Sequence, residues 1–373
     1  MRILHVAVLA LVVLAACAPR GRMTLMPEAA GVGDTQVVYV GTSRATDPAT
    51  GRFGGARFEG DSYGRYELSI PRNRDVGALT WPRRNAVPDP AKHFVTLNEQ
   101  TFADVGAFRA SLASSMRVTP RGQREVIVFV HGFNTNFAEG VYRVAQMAHD
   151  LSFPGVTVHY SWPSKGSPLG YVYDRDSALF ARDGLEQLLR QVADAGAERI
   201  IVFGHSMGAA LTMETIRQST IRGDGKVMTR LAGVILMSPD IDVDLFRSQV
   251  RTIGKLREPI LIFTSQRDRA LLLSSVLARE PNRLGNLNDL ERVADLDVVL
   301  LEVGAFSRGL GHLTPGTSPA LIAILNRVGE IDAALTGDAR SRVGLLPGAV
   351  LTVQSATRII LSPVATVGEQ LAR

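Results

Sequence analysis

Short apolar runs alternate with longer amphipathic stretches from residue 126 onwards. Val126–Val130 is a continuous apolar run, which is typical of a strand buried on both faces of a parallel sheet. The alternation predicts strands at 126–130, 156–160, 199–203, 231–237, 259–264 and 297–303, and helices at 137–151, 176–195, 206–219, 243–253, 270–278 and 318–335. Strands that alternate with helices in this way predict an α/β fold with a doubly wound, mostly parallel sheet.

The part of the chain before this alternation has a different pattern. Residues 35–42 are rich in β-branched side chains and residues 66–70 alternate, so both predict strands. Gly-rich turns through residues 53–55 separate them, and a short helix is predicted near 102–116. We therefore expect a small β-rich N-terminal extension over residues 35–120, followed by the main α/β domain over residues 121–336.

The first residues have the pattern of a targeting segment. Residues 3–16 are almost continuously apolar after Met1 and Arg2. Such a run spans about 21 Å as a helix, which is too short for a hydrocarbon core of about 30 Å. Residues 1–16 are thus predicted to be a signal peptide. Residues 17–34 show no periodicity and predict a tether.

The residue after the signal peptide is the only cysteine of the chain. Residues 14–17, Leu-Ala-Ala-Cys, resemble the lipobox of bacterial lipoproteins. This resemblance implies lipidation of Cys17 and anchoring in the cell envelope, and Ala18 after it favours the outer membrane of a Gram-negative host. The alternative is a chance cysteine after an ordinary signal peptide. In both cases one cysteine excludes a disulfide within the chain.

Composition and motifs indicate which partners and cofactors are not expected. The chain of 373 residues has 41 basic and 36 acidic residues without a block of like charges, so nucleic acid is not an expected partner. No His-Glu-x-x-His or Gly-x-Gly-x-x-Gly pattern is present, so we expect no metal and no cofactor.

The apolar tail over residues 337–373 is interrupted by polar residues. It either packs on the domain or lies on a membrane surface, and the oligomeric state stays open.

A candidate nucleophile lies between a predicted strand and a predicted helix. Gly204-His-Ser-Met-Gly208 directly follows the strand at 199–203 and opens the helix at 206–219. A strand-turn-helix around Gly-x-Ser-x-Gly is the nucleophile elbow of the α/β-hydrolase fold, which the chain therefore resembles. Glycines two residues on either side of Ser206 let the strand and the helix approach each other closely.

The resemblance to α/β-hydrolases implies an oxyanion hole. His131-Gly-Phe133 follows the predicted strand at 126–130, where a His-Gly-x turn of this fold donates one backbone N–H. The residue after the nucleophile donates the other. The donors implied for this chain are thus Phe133 and Met207, each worth about 2.7–4 kcal/mol of the barrier.

The general base follows from chain order. The fold places nucleophile, acid and histidine in this sequence, and His312 lies in a loop after the last predicted strand. The other six histidines lie elsewhere: His5, His93, His131, His149, His159 and His205. For the acid we favour Asp268, in the loop after the strand at 259–264. Asp240, after the strand at 231–237, is the alternative, and the carboxylate not used is expected to cap a helix.

Several further motifs resemble a group of uncharacterised bacterial α/β-hydrolases that are often carried on lipoprotein precursors. The shared motifs are His131-Gly-Phe-Asn134, Phe153-Pro-Gly155, Ser161-Trp-Pro-Ser164, Tyr173-Asp-Arg175, Gly204-His-Ser-Met-Gly208, Ser238-Pro-Asp240 and Asp268-Arg-Ala-Leu271. One departure follows His312, where Leu-Thr-Pro stands in place of an early aromatic residue. The resemblance implies an esterase- or lipase-like hydrolase acting on a small-molecule or lipid acyl ester.

Three aromatic side chains near these motifs are candidates for a substrate wall. Trp162, Tyr171 and Tyr173 lie on the segment that follows the predicted strand at 156–160. Ordinary packing between helix and sheet is the equal alternative.

For the whole chain, the prediction is a serine hydrolase. The alternatives are an acyltransferase or thioesterase with the same residues, and a non-catalytic envelope lipoprotein that binds a partner.

Overall fold

The computed structural model describes residues 20–83, 85–278, 283–307, 311–323, 325–326, 348–353 and 356–361. Within these residues the strands form one sheet of eleven. They are β1 (Asp34–Thr46), β2 (Phe53–Ile70), β3 (Val95–Thr101), β4 (Glu125–Val130), β5 (Val156–Ser161), β6 (Arg199–His205), β7 (Leu231–Met237), β8 (Ile260–Thr264), β9 (Val298–Glu302), β10 (Gly348–Val353) and β11 (Ala356–Leu361).

The sheet is parallel in its centre and antiparallel at its edges. The strand order is β10-β11-β9-β8-β7-β6-β4-β5-β1-β2-β3. Neighbours from β11 to β1 pair in parallel, while β10, β2 and β3 pair antiparallel. The predicted doubly wound, mostly parallel sheet is therefore confirmed.

Helices cover both faces of this sheet. They are α1 (Val105–Met116), α2 (Phe137–Asp150), α3 (Tyr171–Phe180), α4 (Arg182–Asp194), α5 (Met207–Ile221), α6 (Gly225–Met228), α7 (Val243–Ile253), α8 (Arg269–Ala278) and α9 (Thr314–Thr317). One hydrophobic core lies under α1, α4, α5 and α7, and a second lies on the other face, under α2. The central strands are buried on both sides, which explains their continuous apolar sequences.

Local sequence explains where several helices begin. Asn136 and Glu139 form a capping box at the start of α2, in which each side chain accepts from the other residue's backbone N–H. Asp104 caps α1 and Asp242 caps α7 in the same way, through the N–H groups of Ala107 and Leu245. The start of α2 is thus fixed directly after the turn that contains His131–Asn134.

The N-terminal extension predicted over residues 35–120 is β-rich but is not separate from the main domain. Strand β1 pairs in parallel with β5, so that Tyr39 lies opposite Val158. The extension therefore continues the sheet of the main domain rather than forming its own. The Gly-rich residues 53–55, predicted as turns, begin β2, because the hairpin turn lies at residues 47–52 instead.

The segment predicted as a tether packs on the domain over its described part. Met23 is buried, and Leu25 forms a bridge with Thr96 of β3. The Arg20 side chain donates to Asn134 and to Glu139 at the start of α2. The prediction of a free tether is therefore wrong for these residues, because the contacts that hold them come from residues far along the chain. Cys17 and the predicted signal peptide lie outside the described residues.

Two further predictions differ from the structure in detail. The single helix expected at 176–195 is two helices, α3 and α4, which meet at Ala181. The tail expected over residues 337–373 contributes β10 and β11 to the sheet, so its described part packs on the domain. The helix expected at 318–335 is helical at 319–323, and most of the rest lies outside the described residues. No helix in the described part of the chain is long and apolar enough to cross a membrane.

Candidate active site

Ser206 lies at a sharp turn between β6 and α5, at the carboxyl edge of the parallel strands. Its backbone has φ of 53° and ψ of −120°, which is a strained conformation for a residue with a Cβ. The N–H of Ser206 donates to the Met237 carbonyl at 2.9 Å, and its own carbonyl accepts from the N–H of Asp240 at 3.2 Å. Neighbouring strand β7 and the loop after it therefore hold the turn in place.

Two glycines allow the turn with His131 to approach Ser206 closely. A Cβ on Gly132 would lie 2.9 Å from Ser206 Cβ and 2.8 Å from His205 Nδ1. A Cβ on Gly208, in the first turn of α5, would collide with the carbonyl oxygen of His131. Only glycine fits at both positions. Close packing of the elbow against the turn over residues 131–135 (the oxyanion turn, after its expected role) therefore depends on these two glycines.

The two expected oxyanion donors lie on either side of this contact. Met207 is the first residue of α5, so the positive end of the helix dipole adds to its N–H. Phe133 follows Gly132 in the turn after β4. Within the described residues, neither N–H donates to another protein group. Both N–H groups are thus free to bind an external acceptor.

The structure brings His312 and Asp268 together. His312 Nδ1 donates to Asp268 Oδ2 at 2.8 Å, and Asp268 is fully buried. The other carboxylate oxygen, Oδ1, accepts from the N–H groups of Ala270 and Leu271 at 3.0 Å each. Asp268 therefore fixes the imidazole ring of His312 while it also caps α8.

His312 lies beside the elbow through its contact with His205. The two rings have centroids 4.8 Å apart, and His205 Nε2 donates to the His312 carbonyl at 3.1 Å. No hydrogen bond joins Ser206 Oγ to His312 in the described part of the chain. Catalytic hydrogen bonds are often long without substrate and shorten when it binds. His205 thus positions the loop that carries His312.

The alternative acid, Asp240, belongs to a different cluster. Its Oδ2 accepts from Tyr171 Oη at 3.0 Å, and its Oδ1 accepts from Ser274 Oγ at 2.9 Å and lies 3.3 Å from Arg283 Nε. The helix-capping role predicted for Asp240 is wrong, because its carboxylate accepts from two side chains and Asp242 caps α7. Burial, together with the charge of Asp240, raises the pKa of Tyr171 to about 12.

The three candidate wall residues make protein contacts. Trp162 is fully buried, with its ring stacked on His131 at 4.8 Å and its Nε1 donating to the His131 carbonyl. Its side chain does not line a cleft, because it packs beneath the oxyanion turn. Tyr173 is half-buried and donates to the Gly55 carbonyl. Tyr171 is buried with its ring edge against Phe133 at 5.4 Å, which is the nearest of these contacts to the oxyanion donors.

The electrostatics of the site favour the neutral form of the two buried histidines near Ser206, His131 and His205. Burial, and then the charge of Arg44, holds the pKa of His131 well below its usual range. Burial, and then the charge of His312, does the same for the pKa of His205. Burial lowers the pKa of Arg44 to about 10, so its guanidinium stays charged at neutral pH. Neither His131 nor His205 therefore competes as a proton carrier at neutral pH.

Two residues near the site were not singled out from the sequence. Arg44 of β1 and Asp174 of α3 are both buried beside the oxyanion turn. Asp174 belongs to the motif Tyr173-Asp-Arg175, so the motif was a usable signal for it. Nothing in the local sequence of β1 distinguishes Arg44 from a surface arginine. Among the described residues, no group of three or more His, Cys, Asp and Glu side chains could hold a metal ion.

Comparison with solved structures finds resemblances at low identity. Protein TT1662 of Thermus thermophilus is 13% identical, covering 59% of this chain and 92% of that chain at a TM-score of 0.35. Esterase Pf2001 of Pyrococcus furiosus is 14% identical, with 86% of this chain and 99% of that chain covered at a TM-score of 0.38. The cutinase of Trichoderma reesei is 11% identical, with 60% of this chain and 90% of that chain covered at a TM-score of 0.25. At these scores the resemblance carries no conclusion about activity.

A search of curated proteins finds no match. A family model does match, over residues 106–325, which is more than half of the chain. The matched residues include the elbow, the oxyanion turn, Asp268 and His312. The chain belongs to the family described as "Alpha/beta hydrolase of unknown function (DUF900)" and is a hydrolase of that fold.

Proposed function

We propose that this hydrolase cleaves carboxylic esters, with Ser206 as nucleophile, His312 as general base and Asp268 as the acid of a triad. The observation that carries the proposal is the 2.8 Å hydrogen bond from His312 Nδ1 to buried Asp268, beside the strained turn of Ser206. A carboxylate on Nδ1 fixes the tautomer whose Nε2 can accept a proton, and it stabilises the imidazolium that forms.

The first half of the reaction transfers the acyl group to the enzyme. Ser206 Oγ attacks the ester carbonyl carbon while its proton passes to His312 Nε2. The negative charge that develops on the carbonyl oxygen is stabilised by the N–H groups of Phe133 and Met207. The intermediate then breaks the bond to the alcohol oxygen, which takes the proton from His312 and leaves.

The second half restores the enzyme. Water attacks the acyl-serine carbonyl and gives a proton to His312 Nε2. The same two N–H groups stabilise the second tetrahedral intermediate. Its collapse releases the carboxylic acid, and the proton on His312 returns to Ser206 Oγ. No cofactor is needed, since every proton moves between the substrate, water and these side chains.

The test is hydrolysis of a panel of p-nitrophenyl esters of increasing acyl length by the full chain. We expect turnover that Ser206→Ala abolishes with the fold intact, because no other group supplies the nucleophile. A fluorophosphonate probe should label Ser206, as read by mass spectrometry of its peptide. Labelling of another residue with loss of activity, while Ser206 stays unmodified, would rule out this mechanism.

The panel also separates the alternative functions. For this purpose a thioester of the best acyl length is added, and an alcohol or amine acceptor is tested with the best ester. Preference for the thioester would make the enzyme a thioesterase, and transfer to the acceptor in place of water would make it an acyltransferase. Absence of both turnover and labelling would leave a binding protein. The intact elbow, with its two free N–H groups beside Ser206, supports a catalytic function instead.

We also propose that the mature protein is anchored in the cell envelope by lipid on Cys17. Its support is the apolar segment before residue 17 and the lipobox-like Leu-Ala-Ala-Cys. Several acyl chains on one residue give stable anchoring, because each buried CH₂ contributes about 0.8 kcal/mol. Cells fed labelled palmitate should label the wild-type chain and not Cys17→Ser, and equal labelling of both would contradict the anchor.

A further inference from the structure

A buried arginine from the first strand lies among the loops that surround the nucleophile. Arg44 is 1% exposed and belongs to β1, which precedes the residues that match the family. Charged side chains are almost never fully buried unless each polar group has a partner. The contacts of Arg44 therefore indicate what its charge does in this position.

Every nitrogen of the Arg44 guanidinium has a partner. Nε donates to Ser161 Oγ at 2.9 Å, and Nη1 donates to the carbonyls of Gly54 at 2.8 Å and Ser164 at 2.9 Å. Nη2 donates to the Thr135 carbonyl at 2.9 Å and lies 3.3 Å from His131 Nε2. One planar group thus joins the oxyanion turn to the loop after β5.

Asp174 holds the same two segments from the other side. Its Oδ2 accepts from Ser164 Oγ at 2.6 Å and from the N–H of Asn134 at 3.2 Å. Its Oδ1 accepts from the N–H of Lys165 at 2.6 Å. Ser164 is shared, since its carbonyl binds Arg44 and its hydroxyl binds Asp174. The negative charge of Asp174 also stabilises the charged form of Arg44.

These contacts enclose the peptide that carries an oxyanion donor. Arg44 binds the Thr135 carbonyl and lies against His131, whose Nε2 is also 3.0 Å from the Trp162 carbonyl, and Asp174 binds the N–H of Asn134. Phe133 therefore lies between residues that are held on both sides. A donor is effective only within about 2.7–3.1 Å of the oxyanion, and a shift of about 1 Å can lower the rate by about 10²-fold. The position of the Phe133 N–H thus depends on a cation from outside the turn.

We propose that Arg44 is a positioning residue for the oxyanion hole, which fixes the Phe133 N–H by binding the turn on both sides of it. The inference rests on the proposed function, because the turn has this importance only in a reaction that forms an oxyanion. It also assigns β1 a part in catalysis, although that strand is remote in sequence from the elbow. The motif Ser161-Trp-Pro-Ser164 then serves to support the turn rather than to contact substrate.

The experiment compares Arg44→Gln and Arg44→Lys with the wild-type full chain on the best ester of the panel. We expect Arg44→Gln to lower kcat by about 10²–10³-fold, as loss of one oxyanion donor does, with KM changed less than about threefold. Arg44→Lys keeps the charge but not the planar fork, so its kcat should fall less. Affinity for a trifluoromethyl ketone, which binds as a tetrahedral adduct, should fall in parallel with kcat.

Arg74→Gln is the matched control. Arg74 is also a well-buried arginine, and it binds Asp150 at the end of α2 away from the oxyanion turn. Since α2 has 14 residues, this contact lies about 20 Å from the start of the helix. We expect Arg74→Gln to lower the thermal midpoint while the folded enzyme keeps its kcat.

The outcomes distinguish this inference from the proposed function. If the wild-type chain hydrolyses esters and Ser206→Ala does not, the function stands and the Arg44 variants decide. A folded Arg44→Gln or Arg44→Lys enzyme with wild-type kcat and wild-type affinity for the ketone would overturn the positioning role alone. Equal loss of kcat in Arg74→Gln would do the same, because the effect would then be general destabilisation. A wild-type chain that cleaves neither esters nor thioesters, transfers no acyl group and does not react with the fluorophosphonate probe would overturn both.

Discussion

Ser206 adopts a backbone conformation that its own sequence does not stabilise. A non-glycine residue in such a region costs about 1–3 kcal/mol, so surrounding contacts must hold it. The two backbone hydrogen bonds to Met237 and Asp240 come from β7 and the loop after it. The next strand of the sheet and the loop after it therefore hold Ser206, which is buried, in this conformation.

Asp268→Asn tests the proposed acid. An amide in place of the carboxylate favours the wrong tautomer of His312 and no longer stabilises the imidazolium. We expect kcat to fall by about 10⁴-fold with little change in KM. The amide oxygen can still accept from the N–H groups of Ala270 and Leu271, so the cap of α8 should survive. The measurements are steady-state kinetics and the thermal midpoint of the variant.

Asp240→Asn is the companion variant, since Asp240 is the alternative acid. It leaves buried Arg283 without its carboxylate partner, so we expect loss of about 1–3 kcal/mol of stability. Activity should fall by less than about tenfold, because the Asp240 side chain reaches the oxyanion region through Tyr171 and Phe133, and asparagine keeps the backbone N–H that donates to the Ser206 carbonyl. Loss of turnover in Asp240→Asn, with an active Asp268→Asn, would move the acid to the loop after β7.

For single residues, the sequence predicts the candidate site best where a functional side chain follows directly after a predicted strand. Ser206, Asp268 and His312 could be selected because each follows a predicted strand in an order that the fold requires. Trp162 could not be assigned, since the direction of a loop side chain depends on residues elsewhere in the chain. Arg44 was missed for the same reason, because its partners lie on three separate segments, at residue 54, residues 131–135 and residues 161–164.

Among the elements, the contact between β2 and α4 contains a perturbed carboxyl group. Burial, and then the charge of Asp183 on α4, raises the pKa of Asp61 on β2 to about 6. A raised pKa means that the folded chain holds this proton more tightly than the unfolded chain does. Folding is therefore favoured below the unfolded value of about 4, and the advantage is lost as the pH rises through about 6.

Asp61→Asn should stabilise the protein at neutral pH, because the amide removes a half-buried negative charge beside Asp183. A difference of about two pKa units corresponds to on the order of 3 kcal/mol at pH 7.5. The gain should vanish near pH 3, below both pKa values, where Asp61 is mostly protonated in both states. Thermal unfolding at both pH values measures it, with exposed Asp176→Asn on α3 as control. A gain of equal size at both pH values would contradict this origin.

Predictions of elements failed where tertiary contacts override a local pattern. The helix expected at 176–195 divides at Ala181, whose carbonyl accepts from Tyr160 Oη at 2.7 Å. Strand β2 is much longer than the expected 66–70, although glycines such as Gly60 and Gly64 lower its strand propensity. Its pairing with β1 extends from Asp34–Ile70 to Thr46–Phe53. Neither the hydrogen bond at Ala181 nor the pairing of β2 with β1 can be predicted from local propensity.

For the whole molecule, the two ends of the chain complete the sheet around a core that the sequence predicts well. The strands from β4 to β9 are marked by their apolar runs, whereas β3, β10 and β11 were not expected. Strand β11 pairs in parallel with β9, so that Ile359 lies opposite Leu301. Arg358 of β11 also binds Glu302 and the carbonyl of Asn288. Such pairings cannot be read from local patterns, because register depends on which faces become buried.

The position of β11 gives a prediction for the described part of the tail. Ile359 is 8% exposed and packs in the second core, whereas its neighbour Ile360 is 43% exposed on the other face of the strand. Ile359→Ala should cost about 2–5 kcal/mol of unfolding free energy, as buried isoleucines do, and Ile360→Ala well under half of that. Denaturant unfolding of both variants measures the difference, and light scattering reports whether loss of β11 exposes the edge of β9 to association. The two substitutions are matched in chemistry and adjacent in sequence, so only the face of the strand differs. Equal losses would mean that β11 does not pack on β9 in solution, and the tail would then be free to lie on a membrane surface.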